Sequence, residues 1–205
     1  IPRPETEQLV DEVLDWFLSE EVDRPTALDV GTGSGAIALS LAAESGAKVV
    51  ATDISSVALD LARSNAEAAG LEALVEFREG SIFEPIPATA RFDAIVSNPP
   101  YVREKDEPLL EPEVLDWEPR EALFSGKDGL DVIRDLVAGA FQYLRPGGLL
   151  ALEVGLGQAR EVALLLEDSG YYASVKIKRD HATLERFVIA YMDMGDEYAR
   201  AERPL

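Results

Sequence analysis

The sequence predicts an α/β sandwich, one mostly parallel β-sheet between layers of helices. Three observations predict it. Short apolar runs of strand character alternate with longer runs of helical periodicity. A glycine-rich turn, Gly31-Thr32-Gly33-Ser34-Gly35, separates the first strand from the next helix, the place where parallel sheets approach nucleotides. The last two strand-like segments have no helix between them, so they should pair antiparallel. With 205 residues the chain has the size of one domain, set at residues 1–195, with a polar tail over 196–205.

The elements follow in order. Prolines 2 and 4 precede an amphipathic run in which Leu9, Val10, Val13, Leu14 and Phe17 recur at helical spacing. Residues 26–30 (TALDV) read as a strand, 31–35 as a turn, and 36–45 as a helix of small and apolar residues. A second strand, 48–53 (KVVATD), leads to a helix capped near Ser55 and closed at Gly70. Residues 73–80 alternate as a third strand, and 92–97 (FDAIVS) form a fourth. Residues 102–128, with prolines 108, 112 and 119, are irregular and long enough for a functional lid. A helix over 129–144 should end at Arg145-Pro146-Gly147-Gly148, and 149–154 form a fifth strand. A helix over 157–169 stops at Gly170, and 171–180 and 185–193 are the final pair of strands.

Composition narrows the class. Hydrophobic residues make up 47% of the chain, enough for a core. No apolar run reaches the roughly 18 residues of a membrane span, and no secretory signal pattern is present. The absence of Cys excludes disulfides, Cys-ligated zinc and thiol catalysis. A cytoplasmic protein is expected. Thirty-nine acidic against nineteen basic residues give a net charge of −20, which opposes a broad phosphate-binding surface. Only five of the basic residues are Lys (48, 105, 127, 176 and 178). This composition suits solubility at high salt as well as it suits an ordinary acidic protein. The first residue, Ile1, is not an initiator Met, and a fragment of a longer protein is the expectation.

The glycine turn permits close approach of a ligand to backbone and helix N-terminus. Gly31-x-Gly33-x-x-Ala36 also satisfies the dinucleotide fingerprint. Asp53, at the end of the second strand, can accept hydrogen bonds from two ribose hydroxyls, or cap the helix that starts near Ser55. NAD and S-adenosylmethionine suit this arrangement equally. In the loop after the third strand, Ser81 can reach an exocyclic amine of adenine and Phe83 can pack on its ring, though taken alone Phe83 reads as core.

The fourth strand ends in Ser97-Asn98-Pro99-Pro100-Tyr101. Two prolines cannot continue a ladder. Instead they hold the Asn98 amide oxygen and the Pro99 carbonyl at set backbone angles, beside the flat face of Tyr101. Two acceptors and a ring describe a receptor for a planar –NH2 group. Such a nitrogen is a poor nucleophile, because resonance withdraws its lone pair. Gripping both N–H bonds aims it and stabilises developing positive charge. The methyl sulfonium of S-adenosylmethionine is the fitting electrophile. Hydride transfer needs no such elbow.

On these residues the chain resembles the HemK/PrmC family of protein-(glutamine-N5) methyltransferases, which modify the Gln of a Gly-Gly-Gln motif in peptide-chain release factors. The matching segments are IPRPETE (1–7), LDVGTGSGAIALSLA (28–42), ATDIS (51–55), FDAIVSNPPYV (92–102), EPREAL (118–123), GKDGLDVIRDL (126–136) and LRPGGLLALEVG (144–155). The elbow is shared with enzymes that methylate amines of DNA and RNA. The flanking segments are more specific.

The resemblance implies a Rossmann-like class I methyltransferase sandwich, with a seven-stranded, mostly parallel sheet and an antiparallel last strand. It implies S-adenosylmethionine as methyl donor, leaving S-adenosylhomocysteine. Gly31, Thr32, Gly33, Ser34, Gly35 and Asp53 would bind it, with Ser81, Phe83 and Asn98 at its edge. Asn98, Pro99, Pro100 and Tyr101 would bind the target glutamine, and Asn98, Pro99 and Tyr101 would carry the catalysis. A release factor is the expected partner of a monomer, with neither stable nucleic-acid binding nor membrane attachment nor a metal. By the resemblance, the family's helical N-terminal domain is expected to be absent from this chain. One departure is ATLER (182–186), where the family tends to show Gly-Arg-Asp.

The competing readings are an N-methyltransferase for an exocyclic base amine (adenine N6 or guanine N2) and a non-catalytic nucleotide-binding or partner-binding module, or an NAD-dependent enzyme. The roles of Arg3 and of PRPETE are open, and His181 reads as structural or solvated.

Overall fold

The computed structural model describes residues 4–110 and 119–195. Arg3, Glu118, the middle of the acidic stretch 103–119 and the tail 196–205 lie outside them, and with them the expectations placed there.

A seven-stranded sheet forms the centre. Its strands are β1 (Thr26–Val30), β2 (Lys48–Asp53), β3 (Val75–Glu79), β4 (Phe92–Ser97), β5 (Leu144–Glu153), β6 (Tyr172–Arg179) and β7 (Glu185–Met192). The spatial order is β3-β2-β1-β4-β5-β7-β6. Strands β1 to β5 pair in parallel, and β7 runs antiparallel to both neighbours. The helices are α1 (Pro4–Ser19), α2 (Ala36–Ser45), α3 (Ser56–Ala69), α4 (Arg120–Leu123), α5 (Asp131–Ala140) and α6 (Ala159–Ser169), with a 3-10 turn at Glu104–Leu109.

Side chains alternate across a strand, so each strand feeds two cores. Leu149 and Ala151 of β5 join Ala94 and Val96 under α1 and α2, where Leu9, Val13, Phe17, Ile37 and Leu41 are buried. Leu150 and Leu152 join Leu28 and Ile95 under α5 and α6, with Ile133, Leu136, Val162 and Leu166. Each such Leu, Ile or Phe contributes about 1.5–3 kcal/mol by leaving water. Burial on both faces explains why β4 is mostly apolar, all six of its residues being buried, with Asp93 accepting from Thr26 N at 2.8 Å. The Ser55 hydroxyl accepts from Ala58 N at 3.2 Å to cap α3, and Gly70 closes it in a left-handed conformation.

One region differs from expectation. Arg145-Pro146-Gly147-Gly148 does not end a helix; α5 stops at Ala140, and these four residues already belong to β5. The register passes from Phe92↔Leu144 to Ala94↔Leu149, so five residues of β5 span two of β4. This bulge accommodates a proline, which gives no ladder N–H, and Gly147 at φ 76°.

The order β2-β1-β4 means the chain leaves β1 on one side and returns on the other. Crevices for ligands open at such a reversal, beyond the carboxyl ends of the strands. The pairing Val30↔Ser97 brings Gly31 and Asn98, the next residue of each strand, side by side at that edge.

Candidate active site

The glycine turn is held from below. Gly31 N and Thr32 N both donate to the Thr52 carbonyl, at 2.8 and 2.9 Å. Gly31 and Gly33 take φ of 72° and 56°, and a Cβ built on either meets nothing within 4 Å. The conformation therefore asks for glycine, and the space above the turn is open to a ligand. Asp53 spans the turn and the next helix: its Oδ2 accepts from Gly33 N at 2.8 Å and its Oδ1 from Ser55 N at 2.9 Å. The capping role is present, and each carboxylate oxygen retains a lone pair for a further donor. Asn65 of α3 donates to the Ser34 carbonyl at 2.9 Å.

Beneath the turn lies Asp29, fully buried in β1. Burial pushes its pKa from 3.8 up to about 7, against the opposing pull of the Thr32 hydroxyl and the Ala38 N–H, and with a further upward push from Asp53. Its Oδ2 accepts from Thr32 at 2.6 Å and from Ala38 N at 3.1 Å, while Oδ1 has no partner among the described residues.

The residues expected near an adenine are placed differently from each other. Ser81 is exposed, with its backbone N–H directed to Glu84 Oε2 at 3.4 Å. Phe83 stacks on Tyr143, with centroids 4.9 Å apart and planes at 14°. Its ring lies so close to Gly139 of α5 that a Cβ there would come within 2.7 Å. Phe83 thus packs against the α5 core.

The elbow at the end of β4 is supported by side chains far away in sequence. Asn98 is half-buried, and its Nδ2 donates to Thr6 Oγ1 at 3.1 Å. Thr6, near the start of α1, donates in turn to Glu153 Oε2 at 3.0 Å. Glu153 is buried at the end of β5, and the Tyr101 hydroxyl lies 3.5 Å from its Oε1. Ser97 donates to the Val30 carbonyl at 2.7 Å, tying β4 to β1 just before the elbow. Among the described residues no protein donor reaches Asn98 Oδ1 or the Pro99 carbonyl.

The far side of the elbow is clamped by Gln158. Its amide NH2 donates to the Tyr101 carbonyl at 3.0 Å and to the Asp128 carbonyl at 3.1 Å, and its Oε1 accepts from Gly155 N at 2.8 Å. Gly129, at φ 78°, fits only as glycine: a Cβ would sit 2.2 Å from the Tyr101 carbonyl oxygen. Arg134 draws the Asp128 carboxyl down to about 2 through their hydrogen bond. Residues 102–126 leave and return at one neck, where Val102 N donates to the Leu123 carbonyl and Ser125 N to the Val102 carbonyl. Arg120 pairs with Glu107 and lies 4.6 Å above the Phe124 ring.

The structure thus brings Gly31–Gly35, Asp53 and Asn98–Tyr101 to one sheet edge. Sequence reasoning missed Thr6, Asp29, Gly129, Glu153 and Gln158. Thr6, Asp29, Gly129 and Glu153 lie inside segments quoted for the resemblance, yet nothing local marks their roles. Thr6 is 92 positions from Asn98 and 147 from Glu153. Among the described residues no group of three or more His, Cys, Asp or Glu side chains could hold a metal. No described helix is long and apolar enough to cross a membrane.

Comparison with solved structures sets the class. The catalytic domain of human METTL16 with an RNA hairpin superposes with a TM-score of 0.74 at 17% identity, covering 96% of this chain and 73% of that one. A 16S rRNA guanine-N2 methyltransferase of T. thermophilus superposes with a TM-score of 0.69 at 24% identity, covering 94% and 44%. At such identities the likeness is one of fold, the class I methyltransferase fold. Residues 10–114 match the family model of the methyltransferase small domain. The chain is 48% identical to the release factor glutamine methyltransferase of Xylella fastidiosa (strain 9a5c), over 91% of its own length and 68% of that protein. It is 46% identical to the protein of that name from Gloeobacter violaceus, over 93% and 66%. The chain belongs to the release factor glutamine methyltransferase family and spans about two thirds of the length of these relatives.

Proposed function

We propose that this domain, residues 1–195, transfers a methyl group from S-adenosylmethionine to the side-chain amide nitrogen of glutamine in the Gly-Gly-Gln motif of a peptide-chain release factor. One observation carries the reading: among the described residues no donor reaches Asn98 Oδ1 or the Pro99 carbonyl at the sheet edge, while the Asn98 NH2 is tied back to Thr6. A pair of fixed acceptors fits a group with two N–H bonds.

The residues present fit the methyl donor. The space above Gly31 and Gly33 is open to a ligand lying against the backbone. Asp53 can accept from ribose hydroxyls beside that loop. Below the turn, the orphaned Oδ1 of Asp29 leaves a buried polar atom unsatisfied. Gly31, Thr32, Gly33, Ser34, Gly35 and Asp53 would hold the donor, with Ser81 and Phe83 near its base and Asn98 at the boundary with the substrate. When bound, the donor supplies an electrophilic methyl carbon on a sulfonium.

Everything else falls to the chain. Asn98 Oδ1 and the Pro99 carbonyl accept the two N–H bonds of the target amide and point its nitrogen toward the neighbouring site. Pro100 restricts the backbone, so the acceptors do not relax as charge develops. Tyr101 offers a flat contact to the planar amide. Asn98 is neutral and removes no proton in advance. Positive charge builds on the nitrogen as its bond to carbon forms, and the two acceptors stabilise that charge. The proton then leaves an acidic nitrogen. The protein is read as a cytoplasmic monomer. Its charge of −20 weighs against nucleic acid as substrate.

The test is labelled methyl transfer from S-adenosylmethionine to a release factor, with RNA and DNA offered in parallel. The wild-type chain should label one glutamine of the factor, and Asn98→Ala should lower kcat by about 10²–10³-fold. Labelling of nucleic acid instead of the factor, or undiminished turnover by Asn98→Ala, would overturn the reading.

A further inference from the structure

We infer that Thr6 and Glu153 are positioning residues that set which way the Asn98 amide faces, and so make the site select an –NH2 group against a carboxylate. The inference rests on reading the elbow as an amide-methylating site.

The two ends of an Asn side chain are almost equal in size, so shape alone does not choose between its orientations; hydrogen bonds do. Here the choice follows from a chain of polarity. Ionised, Glu153 can only accept, and the Thr6 hydroxyl at 3.0 Å then donates to it. The Thr6 proton is then spent, and toward Asn98 the same oxygen can only accept. The Asn98 atom 3.1 Å from Thr6 Oγ1 must therefore be the NH2 nitrogen. Asn98 Oδ1 is left facing the sheet edge as an acceptor, beside the Pro99 carbonyl.

A flipped amide would set its oxygen against the Thr6 oxygen with no proton between them. It would also offer the substrate a donor in place of an acceptor. Glutamine and glutamate differ by the very feature this orientation reads. Glutamine brings two N–H bonds to two acceptors, whereas glutamate brings acceptors to acceptors. Sites built to hydrogen-bond a substrate N–H reject an analogue lacking it by about 10⁴–10⁵-fold. The carboxylate that enforces this sits two hydrogen bonds away from Asn98, at the end of β5, and the hydroxyl that transmits it comes from α1.

The experiment compares the wild-type chain with Thr6→Val, Thr6→Ser and Glu153→Gln. Three quantities are measured: methyl transfer to a peptide spanning the Gly-Gly-Gln segment, inhibition by the same peptide with Glu in place of Gln, and calorimetric binding of S-adenosylhomocysteine. Thr6→Val, close in shape but without a hydroxyl, should lower kcat by about tenfold or more. Its affinity for S-adenosylhomocysteine should stay within about twofold, which also certifies the fold. The preference for the Gln over the Glu peptide should narrow by about tenfold or more. Thr6→Ser should recover most of both losses. Glu153→Gln should narrow the preference further, because an amide at 153 can donate to Thr6 and release the hydroxyl to donate to Asn98. An unchanged Gln-to-Glu preference in Thr6→Val and Glu153→Gln overturns the inference, even if kcat falls. A wild-type chain that methylates no glutamine removes the underlying reading, and this inference with it.

Discussion

The two halves of the site are held by different kinds of bond. The glycine turn is fastened mainly by backbone groups of β1 and β2 and by Asp53, within residues 29–55, with one further bond from Asn65 of α3. The elbow is fastened by side chains and tight glycines from positions 6, 129, 153, 155 and 158. A half-site built from one βαβ unit can serve many enzymes with little change. A half-site assembled from distant segments ties its acceptors to α1, to the end of β5 and to the start of α6, which is what a selective substrate site needs.

Substitutions can separate the halves, beginning with the largest effect. Asp29 is the buried charge of the first half. Its pKa is about 7 in the folded protein and near 3.8 unfolded. The folded state therefore binds the proton more tightly, and stability falls as pH rises from about 4 to about 7. The difference corresponds to about 4 kcal/mol of stability, present below pH 4 and lost above pH 7. Asp29→Asn should flatten this slope, so its melting temperature should exceed wild type more at pH 8 than at pH 5. An equal difference at both pH values would remove Asp29 as the cause.

Gly129→Ala strikes the second half. The left-handed backbone and the 2.2 Å approach to the Tyr101 carbonyl together should cost about 3 kcal/mol in denaturant unfolding. Methyl transfer should fall while affinity for S-adenosylhomocysteine holds, provided the two halves are separable. Loss of both in parallel would show that they are not. The smallest effect belongs to Ser55→Ala. Loss of the α3 cap should cost about 1 kcal/mol and leave the Gln-to-Glu preference untouched.

The same division explains how much of the molecule was legible in the sequence. Strands β1, β2 and β4 and helix α2 match their expected limits, because composition and glycine punctuation are local signals. The antiparallel β6–β7 pair was legible from the missing crossover. Arg145–Gly148 was misread, because turn-forming residues also build a bulge, and only the partner strand distinguishes the two. Phe83 stood in the loop after β3, yet its ring neighbours, Tyr143 and Gly139, come from elements sixty residues on. Asn98, Pro99 and Tyr101 were legible as acceptors and ring. Their supports were not, since Thr6, Gly129, Glu153 and Gln158 meet the elbow only through the fold.

The link from Thr6 to Glu153 joins residues 147 positions apart. Closing a loop of that length is slow compared with forming a helix or a single βαβ unit. During synthesis or refolding, the nucleotide-facing turn can be complete while the elbow still lacks its orientation. The Thr6–Glu153 contact is thus a later step than completion of the glycine turn, and Asn98 gains its fixed orientation only with it.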